Sequence, residues 1–187
     1  MEERSDHMLI QAVLEGDLRA YEQLVLRHQD MVAHFVWRMV PQEQDREEVC
    51  QDVFLKVYLN LHKFRFEAKF TTWLYSIAYR VAVSSLRRRK AAIDDVAQQE
   101  PAGGALEADV MDAEISQMIA SEIDRLSLDE RSIVTLFHIQ ECSVDEIAAI
   151  VDKPAGTVKS LLFRARTKMK DRLKRRLDWQ PLREVAL

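Results

Sequence analysis

The chain has 187 residues, enough for one ordinary domain or two small ones. A hydrophobic fraction of 48% supports folded cores, and the presence of only four glycines and four prolines favours helices over many short strands. The net charge of −4 is unevenly distributed, because basic clusters at 87–90 and 159–176 flank an acidic segment at 94–130. No apolar run approaches the ~20 residues that cross a bilayer, so we predict a cytoplasmic protein without direct membrane insertion.

The residue types that most often carry catalysis form no catalytic arrangement in this sequence. Cys50 and Cys142 lie far apart, each within a helical pattern, and the five histidines have no metal-ligand spacing. A phosphate-binding glycine loop and a nucleophile elbow are also missing from the sequence. We therefore expect no enzyme activity, no cofactor and no metal, and we expect the two cysteines to be half-buried small hydrophobic residues.

Helix signals begin at the start of the chain. Ser5 or Asp6 can cap a first helix that Gly16 ends, because Ser and Asp accept backbone hydrogen bonds and glycine adopts the left-handed conformation. Asp17 can start a second, longer helix. That helix stops before Pro41, since the residue before a proline avoids the helical conformation.

Two further helices are predicted after Pro41. Apolar residues from Val49 to Leu61 recur at helical spacing and indicate a third helix. The segment from Phe64 to Phe70 lacks that period and is predicted to be a loop. A fourth helix is expected to begin near Thr71 or Thr72. These four helices would form a first domain.

The middle of the chain is predicted to be a linker. Half of the four glycines lie in the stretch 101–104, among acidic residues and without a strong apolar stripe. Helical spacing resumes at Ile115. We therefore predict an all-α protein with two small helical domains, at 1–91 and 114–187, joined by a flexible acidic linker at 92–113.

The second domain contains a helix-turn-helix pattern. Capping boxes at 127–130 and 143–146 each predict a helix start. The turn at 152–154 cannot continue the shorter helix, and Pro154 suits the first turn of the next one. That last helix is basic and amphipathic, as is typical of a helix that enters the major groove of DNA. The alternative is a solvated face on a structural helix, which is equally consistent with the end at 172–176.

Four segments in order resemble extracytoplasmic-function (ECF) sigma factors of the sigma-70 family, over about 8–90 and 114–175. One such motif is weakly specific, whereas four in the right order around a linker are highly specific. The segments are EQLV with HQD at 22–30, DREEVCQDVF at 45–54, FRFEAKFTTWLYSIA at 64–78, and EIA, GTVKS and RAR within 146–166.

The resemblance implies a sigma factor that binds core RNA polymerase and recognises −35 and −10 promoter elements. In this family an acidic helix binds the coiled coil of the polymerase's largest subunit. The residues implied for this contact are Asp45, Glu48, Gln51, Asp52 and Phe54. Three of them, Asp45, Glu48 and Asp52, repeat at helical spacing with Lys56 and form an acidic surface, with Gln51 nearby.

The family captures an unstacked base of the melted −10 element with the loop and helix that match 64–79. That task needs positively charged side chains along the DNA backbone and flat side chains on which a base can stack. Core packing is the alternative for Phe64, Phe70 and Trp73, and we favour it for Trp73. The implied −10 contacts are Arg65, Phe66, Lys69, Thr72, Tyr75, Ser76, Tyr79, Arg80, Arg87 and Arg88.

The last helix would read the duplex −35 element. Phe163, off the apolar stripe, either contacts a partner or packs at the domain edge. The sequence departs from many relatives at Arg80, Ser84, Asp152 and Leu161, so a promoter preference cannot be transferred from them. The implied −35 contacts are Pro154, Ala155, Thr157, Lys159, Ser160, Arg164, Arg166 and Lys168.

Control by an anti-sigma factor, which is often membrane-bound, is implied by the family alone. The alternative function is a stand-alone helix-turn-helix transcriptional regulator, which would bind duplex DNA tightly by itself. A sigma factor, by contrast, is expected to bind duplex DNA weakly until polymerase orients both of its domains.

Overall fold

The structure is a computed structural model that describes residues 4–93 and 110–176, with side chains described for 4–89 and 117–175. These ranges contain eight α-helices, one short 3₁₀ turn (Leu61–Lys63) and no strand, which confirms the all-α prediction. Most of the predicted linker and the tail after 176 lie outside the described residues. The helices are α1 (Asp6–Leu14), α2 (Leu18–Met39), α3 (Glu43–Asn60), α4 (Phe70–Ile93), α5 (Val110–Asp124), α6 (Leu128–His138), α7 (Val144–Val151) and α8 (Ala155–Arg176).

The first two helices begin and end where the sequence predicts. The hydroxyl of Ser5 accepts a hydrogen bond from the amide of Met8, and the carboxylate of Asp17 caps α2 in the same way. Between them, Gly16 has a φ of +102°, a backbone conformation that L side chains rarely adopt. The turn that results lets α1 pack against α2.

Helices α1 to α4 form a first bundle around an apolar core. The guanidinium of Arg46 is buried at its edge and donates hydrogen bonds to the carbonyls of Val40 and Pro41, over 2.9 and 3.0 Å. A buried cation needs such acceptors, so these bonds hold the turn between α2 and α3. Residues buried in this core include Leu9, Ile10, Leu24, Val32, Phe35, Met39, Val53, Val57, Leu74 and Ala78.

Helix α4 begins at Phe70, slightly before the predicted start at Thr71 or Thr72. The ring of Phe70 is buried and packs edge-on against His28, with the ring centroids 5.3 Å apart. This tertiary contact anchors the first helical turn.

Helices α5 to α8 form a second bundle, and both predicted capping boxes are present at the starts of α6 and α7. The capping carboxylate of Glu130 is buried and lies 2.7 Å from Nζ of Lys168 on α8. Burial disfavours the charged form of Glu130. The hydrogen bonds from Lys168 and Ser127 outweigh that effect and hold the pKa of Glu130 below its ordinary value. This ion pair therefore joins the start of α6 to the middle of α8.

The turn between α7 and α8 contains a residue in an unfavourable conformation. Asp152, which ends α7, has φ 54° and ψ 52°, in the left-handed region. The carbonyl of Pro154 accepts the amide hydrogens of Thr157 and Val158 and so begins α8. The predicted helix-turn-helix is thus confirmed, with Pro154 just before the first helical residue.

We expect Asp152→Gly to raise the free energy of unfolding by about 0.5–1 kcal/mol. The left-handed conformation costs an L residue about 1–2 kcal/mol, and glycine avoids that cost but loses more chain entropy on folding. Urea denaturation of both proteins measures the difference. Asp152→Ala is the control, and it should not be stabilised. A glycine variant that is less stable than the wild type would contradict the expectation.

The two bundles pack directly against each other. Helix α4 contacts α7, and α2 contacts α6. The buried apolar residues of both bundles form one continuous cluster. The sequence predicted two helical units, and it did not indicate the extensive contact between them that the structure shows.

Candidate polymerase and promoter interfaces

One stripe along α3 combines acidic and apolar side chains. Glu48 is exposed and Asp52 is partly exposed, and Leu55 and Leu59 continue the same helical face. The two leucines are 56% and 58% exposed. Exposed apolar side chains in a row are typical of protein-binding surfaces. We call these four residues the α3 stripe; it suits a partner with both cationic and apolar groups.

Sequence reasoning identified the acids of the α3 stripe but missed its leucines. Leucine at helical spacing is usually a core residue, and only the position of α1, α2 and α4 shows that this face of α3 is uncovered. The signal that could have found them is the helical spacing of the whole stripe, in which successive members are four, three and four residues apart.

The other predicted polymerase contacts are placed differently. Gln51 is exposed beside the α3 stripe and donates a hydrogen bond within α3. Asp45 pairs with Arg89 of α4. Phe54 is half-buried against the first core, and its carbonyl accepts a hydrogen bond from the hydroxyl of Tyr21. Asp45 and Phe54 therefore hold α3 to its neighbours.

The loop between α3 and α4 presents an aromatic ring between two cations. Arg65, Phe66 and Lys69 are all exposed. Phe66 has a φ of 60°, and its ring lies 4.4 Å from His7 and 4.8 Å from Phe64, measured between centroids. A positive φ is uncommon for an aromatic residue and indicates a backbone held by its surroundings.

Two hollows adjoin this loop. The smaller, of about 240 Å³, is lined partly by Arg65 and Ser76, and the larger, of about 540 Å³, partly by Arg80. Lys63 and Trp73 line both. Trp73 is half-buried. It packs against the core, as favoured from the sequence, and it also lines both hollows. An indole beside cations can stack on an unstacked base.

One face of α4 is turned towards the second bundle. Thr72 and Tyr75 are buried, and Tyr79 is half-buried. The hydroxyl of Tyr75 donates to the side chain of Gln140, and that of Tyr79 lies 3.4 Å from the carboxylate of Asp129. Burial raises the pKa of both tyrosines. In this arrangement these three predicted −10 contacts are not open to DNA.

The remaining predicted −10 contacts on α4 are accessible. Arg80, one of the departures from the family pattern, is exposed and donates to the carbonyl and hydroxyl of Ser76 over 2.9 and 3.1 Å. Arg87 and Arg88 are exposed near the end of α4. Of the accessible cations of α4, Arg80 lines the larger hollow, and Arg87 and Arg88 lie nearer the end of the helix.

Helix α8 separates a buried apolar stripe from an exposed polar face. Leu161, a further departure from the family pattern, is 9% exposed and belongs to the second core. The first turns of α8 carry most of the predicted −35 contacts at the surface, where the helix dipole also favours a phosphate. All eight predicted −35 contacts are exposed or partly exposed, and six of them lie at the start of α8 or within its first three turns: Pro154, Ala155, Thr157, Lys159, Ser160 and Arg164.

The last two predicted −35 contacts are held by α6. Nε of Arg166 donates to Nε2 of His138 over 3.0 Å, and its guanidinium lies over the ring of Phe137 at 4.9 Å. Burial and the adjacent guanidinium lower the pKa of His138, which keeps the imidazole a neutral acceptor. Lys168 pairs with Glu130. Arg166 and Lys168 therefore each contact α6 while remaining open to solvent.

Phe163 is 72% exposed at the centre of that open face. It lies three or four residues from Ser160, Lys159 and Thr167, so all four are neighbours on the helix surface. Of the two alternatives for Phe163, the exposure excludes packing at the domain edge. An exposed ring on such a helix can contact the methyl group of a thymine.

An apolar groove with a basic rim lies between α2, α5, α6 and α8. Its volume is about 730 Å³. Ile119 and Ile139 on its walls are 40% and 41% exposed. The cations around it are Arg38, Arg166, Lys170 and Lys174. Such a groove suits an amphipathic segment of acidic character.

Within the part of the chain that the structure describes, no group of His, Cys, Asp and Glu residues could hold a metal ion. None of the described helices is long and apolar enough to cross a membrane. Both cysteines are half-buried and outside any disulfide. Burial raises the pKa of the Cys142 thiol to about 11, which makes it a poor nucleophile at neutral pH.

Comparison with known proteins identifies the family of the chain. Two family descriptions match the chain, "Sigma-70 region 2" at residues 24–92 and "Sigma-70, region 4" at residues 116–169. The ECF RNA polymerase sigma-E factor of Escherichia coli K12 is 38% identical over 177 residues, covering 88% of this chain and 92% of the relative. That of Haemophilus influenzae is 31% identical over 184 residues, covering 92% and 97%.

Solved structures share the fold. The sigma factor RpoE of Bartonella quintana, in complex with the anti-sigma factor NepR, superposes with a TM-score of 0.74 at 22% identity, covering 82% of this chain and 96% of that one. CnrH, in complex with the cytosolic domain of CnrY, gives a TM-score of 0.68 at 25% identity, covering 90% and 97%.

The match of the first bundle to region 2, and of the helix-turn-helix bundle to region 4, defines a transcription factor of the sigma-70 class. Within that class, the chain belongs to the ECF sigma factors, which are non-enzymatic transcription initiation factors. The relatives give no support to the alternative of a stand-alone helix-turn-helix regulator.

Proposed function

We propose that this sigma factor binds core RNA polymerase through the α3 stripe and uses α4 and α8 to recognise the promoter. The observation that carries the proposal is the presence, on one chain, of an uncovered acidic and apolar stripe and an exposed polar recognition helix. A stand-alone DNA-binding protein needs only the second surface. As a partner of polymerase, the protein would act in the cytoplasm.

The functional division of the chain follows from the same surfaces. We assign polymerase binding and −10 recognition to residues 1–91, the connection to 92–113, and −35 recognition to 114–187. The family matches at 24–92 and 116–169 support these limits, as do the end of α4 at Ile93 and the start of α5 at Val110.

For the −35 element, we propose that the open face of α8 enters the major groove. Lys159 and Arg164 would neutralise phosphates or contact guanine, and Thr157 and Ser160 would reach base edges. Phe163 joins this set because of its exposure. Arg166 and Lys168 leave it, because α6 holds their side chains.

For the −10 element, we propose that the melted strand follows the cations of the α3–α4 loop and places a base in the hollows beside Trp73. Arg65 and Lys69 supply positive charge next to Phe66. Single-stranded DNA binds to such combinations of cations and rings with little need for hydrogen-bond readout.

We also propose control by an anti-sigma factor. The Bartonella quintana relative was solved with such a protein. On this chain, the basic-rimmed groove between α2, α5, α6 and α8 has the shape and charge for an acidic amphipathic helix of that partner. An occupant there would contact both bundles, since Arg38 belongs to α2 and the other three cations to α8.

Mapping of transcript 5′ ends tests the proposed function. Escherichia coli core polymerase is incubated with fragmented genomic DNA of the source organism, with and without the purified protein. We expect discrete new start sites preceded by shared −35 and −10 sequences. Identical transcripts with and without the protein would contradict the proposal. Tight, specific retention of duplex fragments without polymerase would instead favour the stand-alone regulator.

A further inference from the structure

The larger of the two hollows beside Trp73 is rich in hydrogen-bond donors. Its volume is about 540 Å³, and its walls come from the end of α3, the 3₁₀ turn and α4. Two of the departures from the family pattern, Arg80 and Ser84, line it. Among the described residues around it there is no carboxylate, and the polar ones are Lys56, Asn60, Lys63, Arg80 and Ser84.

The guanidinium of Arg80 is held in place by its own helix. Nε donates to the carbonyl of Ser76 over 2.9 Å, and Nη2 donates to the hydroxyl of the same residue over 3.1 Å. A guanidinium has five N–H donors in one plane, so both hydrogens of Nη1 and one of Nη2 remain. The side chain is exposed, and it makes no further hydrogen bond within the described part of the chain. Its Nη1–Nη2 edge, which can pair with two acceptors at once, is therefore available to a ligand.

The amide that lines the hollow is already engaged. Oδ1 of Asn60 accepts a hydrogen bond from Nζ of Lys63, and Nδ2 of Asn60 donates to the carbonyl of Lys56, both over 2.8 Å. The hydroxyl of Ser84 can accept as well as donate, whereas the three cations only donate. The edge of a base that enters this hollow should therefore present acceptors and no amino group.

Guanine is the base whose edge fits these donors. Its O6 and N7 are two adjacent acceptors, and an arginine pairs with both at once. Adenine and cytosine carry an amino group on the same edge, where it would meet further donors, and thymine offers one acceptor beside a methyl group. The indole of Trp73, which lines the same hollow, provides a flat surface on which a purine can stack.

We infer that the larger hollow selects guanine, and that Arg80 determines this choice. Nη1 and Nη2 of Arg80 donate to O6 and N7 of an unstacked guanine of the −10 strand, while Lys56 and Lys63 supply positive charge for the neighbouring phosphates. The inference rests on the proposed −10 site and adds the identity of the base that this site takes.

The test uses the protein in complex with Escherichia coli core polymerase. Its probe is fluorescein-labelled fork DNA from a mapped promoter, in which the non-template −10 strand is single-stranded. Each base of that strand is replaced in turn by the other three, and the affinities are compared. We expect one position at which guanine binds about tenfold more tightly than any other base, as one bidentate pair predicts.

Two failures of this scan have different meanings. A complex that binds the fork DNA without preferring guanine at any position would overturn the inference and leave the proposed function intact. A protein that co-elutes with polymerase but gives no binding to any fork would overturn the proposed −10 recognition, and the inference with it.

Base analogues at the selected position identify the edge that is read. Inosine keeps O6 and N7 and lacks only the 2-amino group, so it should bind as tightly as guanine. In 7-deazaguanine a C–H group replaces N7, and most of the tenfold preference should be lost. The reverse pattern, with a loss for inosine and none for 7-deazaguanine, would overturn the inference. This arm needs no variant of the protein.

Arg80→Gln assigns the preference to its residue. Glutamine pairs with the amino group and N7 of adenine, so we expect this variant to lose the guanine preference and to bind adenine at least as tightly as guanine. The matched control is Arg19→Gln, the same change at an exposed position of α2 outside the proposed DNA surfaces, and it should keep the tenfold preference. If Arg80→Gln weakened binding of all four bases alike, Arg80 would be a phosphate contact and the inference would be overturned.

Discussion

Reversing both charges of the α3 stripe, with Glu48→Arg and Asp52→Arg together, should abolish co-elution with core RNA polymerase. Like charges brought together at an interface cost several kcal/mol, so we expect the affinity to fall by at least about a hundredfold. Both side chains lie outside the core, and thermal unfolding should stay close to that of the wild type. Gel filtration with Escherichia coli core polymerase measures the effect.

The control for this variant is Glu22→Arg with Asp30→Arg, two exposed acids on α2. It makes the same charge change on another surface of the same bundle and should still co-elute. If both double variants lost binding alike, net charge and not the α3 stripe would determine it. Phe54→Ala is unsuitable as a probe, because its ring packs against the core and its loss would destabilise α3.

Arg164→Ala should reduce transcription from a mapped promoter by about 10- to 100-fold without a change in stability. A cationic contact to a base or phosphate is worth about 1–3 kcal/mol, and Arg164 is exposed on the open face of α8. Runoff transcription with saturating core polymerase measures the loss. Retained activity would show that the open face of α8 does not read the −35 element.

Lys168→Met is the matched comparison for Arg164→Ala. It removes a cation one turn further along α8, from a pair with the buried carboxylate of Glu130. We expect a loss of about 1–2 kcal/mol in the free energy of unfolding, discounted because Lys168 is half-exposed, and less than a threefold loss of transcription. The opposite pattern, with stable protein and lost transcription, would return Lys168 to the set of DNA contacts.

Local chemistry made much of this fold predictable. Ser5, Asp17 and the two capping boxes start helices where their side chains can accept backbone amides, and Gly16 ends α1 with a left-handed backbone. Each of these effects acts over three or four residues and needs no knowledge of the rest of the chain. The buried stripe of α8 was predictable for the same reason.

The remaining features depend on contacts between distant segments. Lys168 has the sequence context of a DNA-binding lysine, and only the position of Glu130 on α6 shows that it also forms an ion pair between helices. Leu55 has the spacing of a core residue, and only the absence of a covering helix exposes it. Tyr75 is covered by a bundle whose contact with α4 leaves no periodic signal in either segment. Such tertiary effects override local propensity.

The mixed composition of the α3 stripe determines how the complex with polymerase should respond to ionic strength. Salt at 1 M reduces the Debye length to about 3 Å and screens the charges of Glu48 and Asp52. Burial of Leu55 and Leu59, which are more than half exposed in the unbound chain, is not screened. Binding to polymerase should therefore persist at salt concentrations that already weaken the phosphate contacts proposed for α8 on DNA.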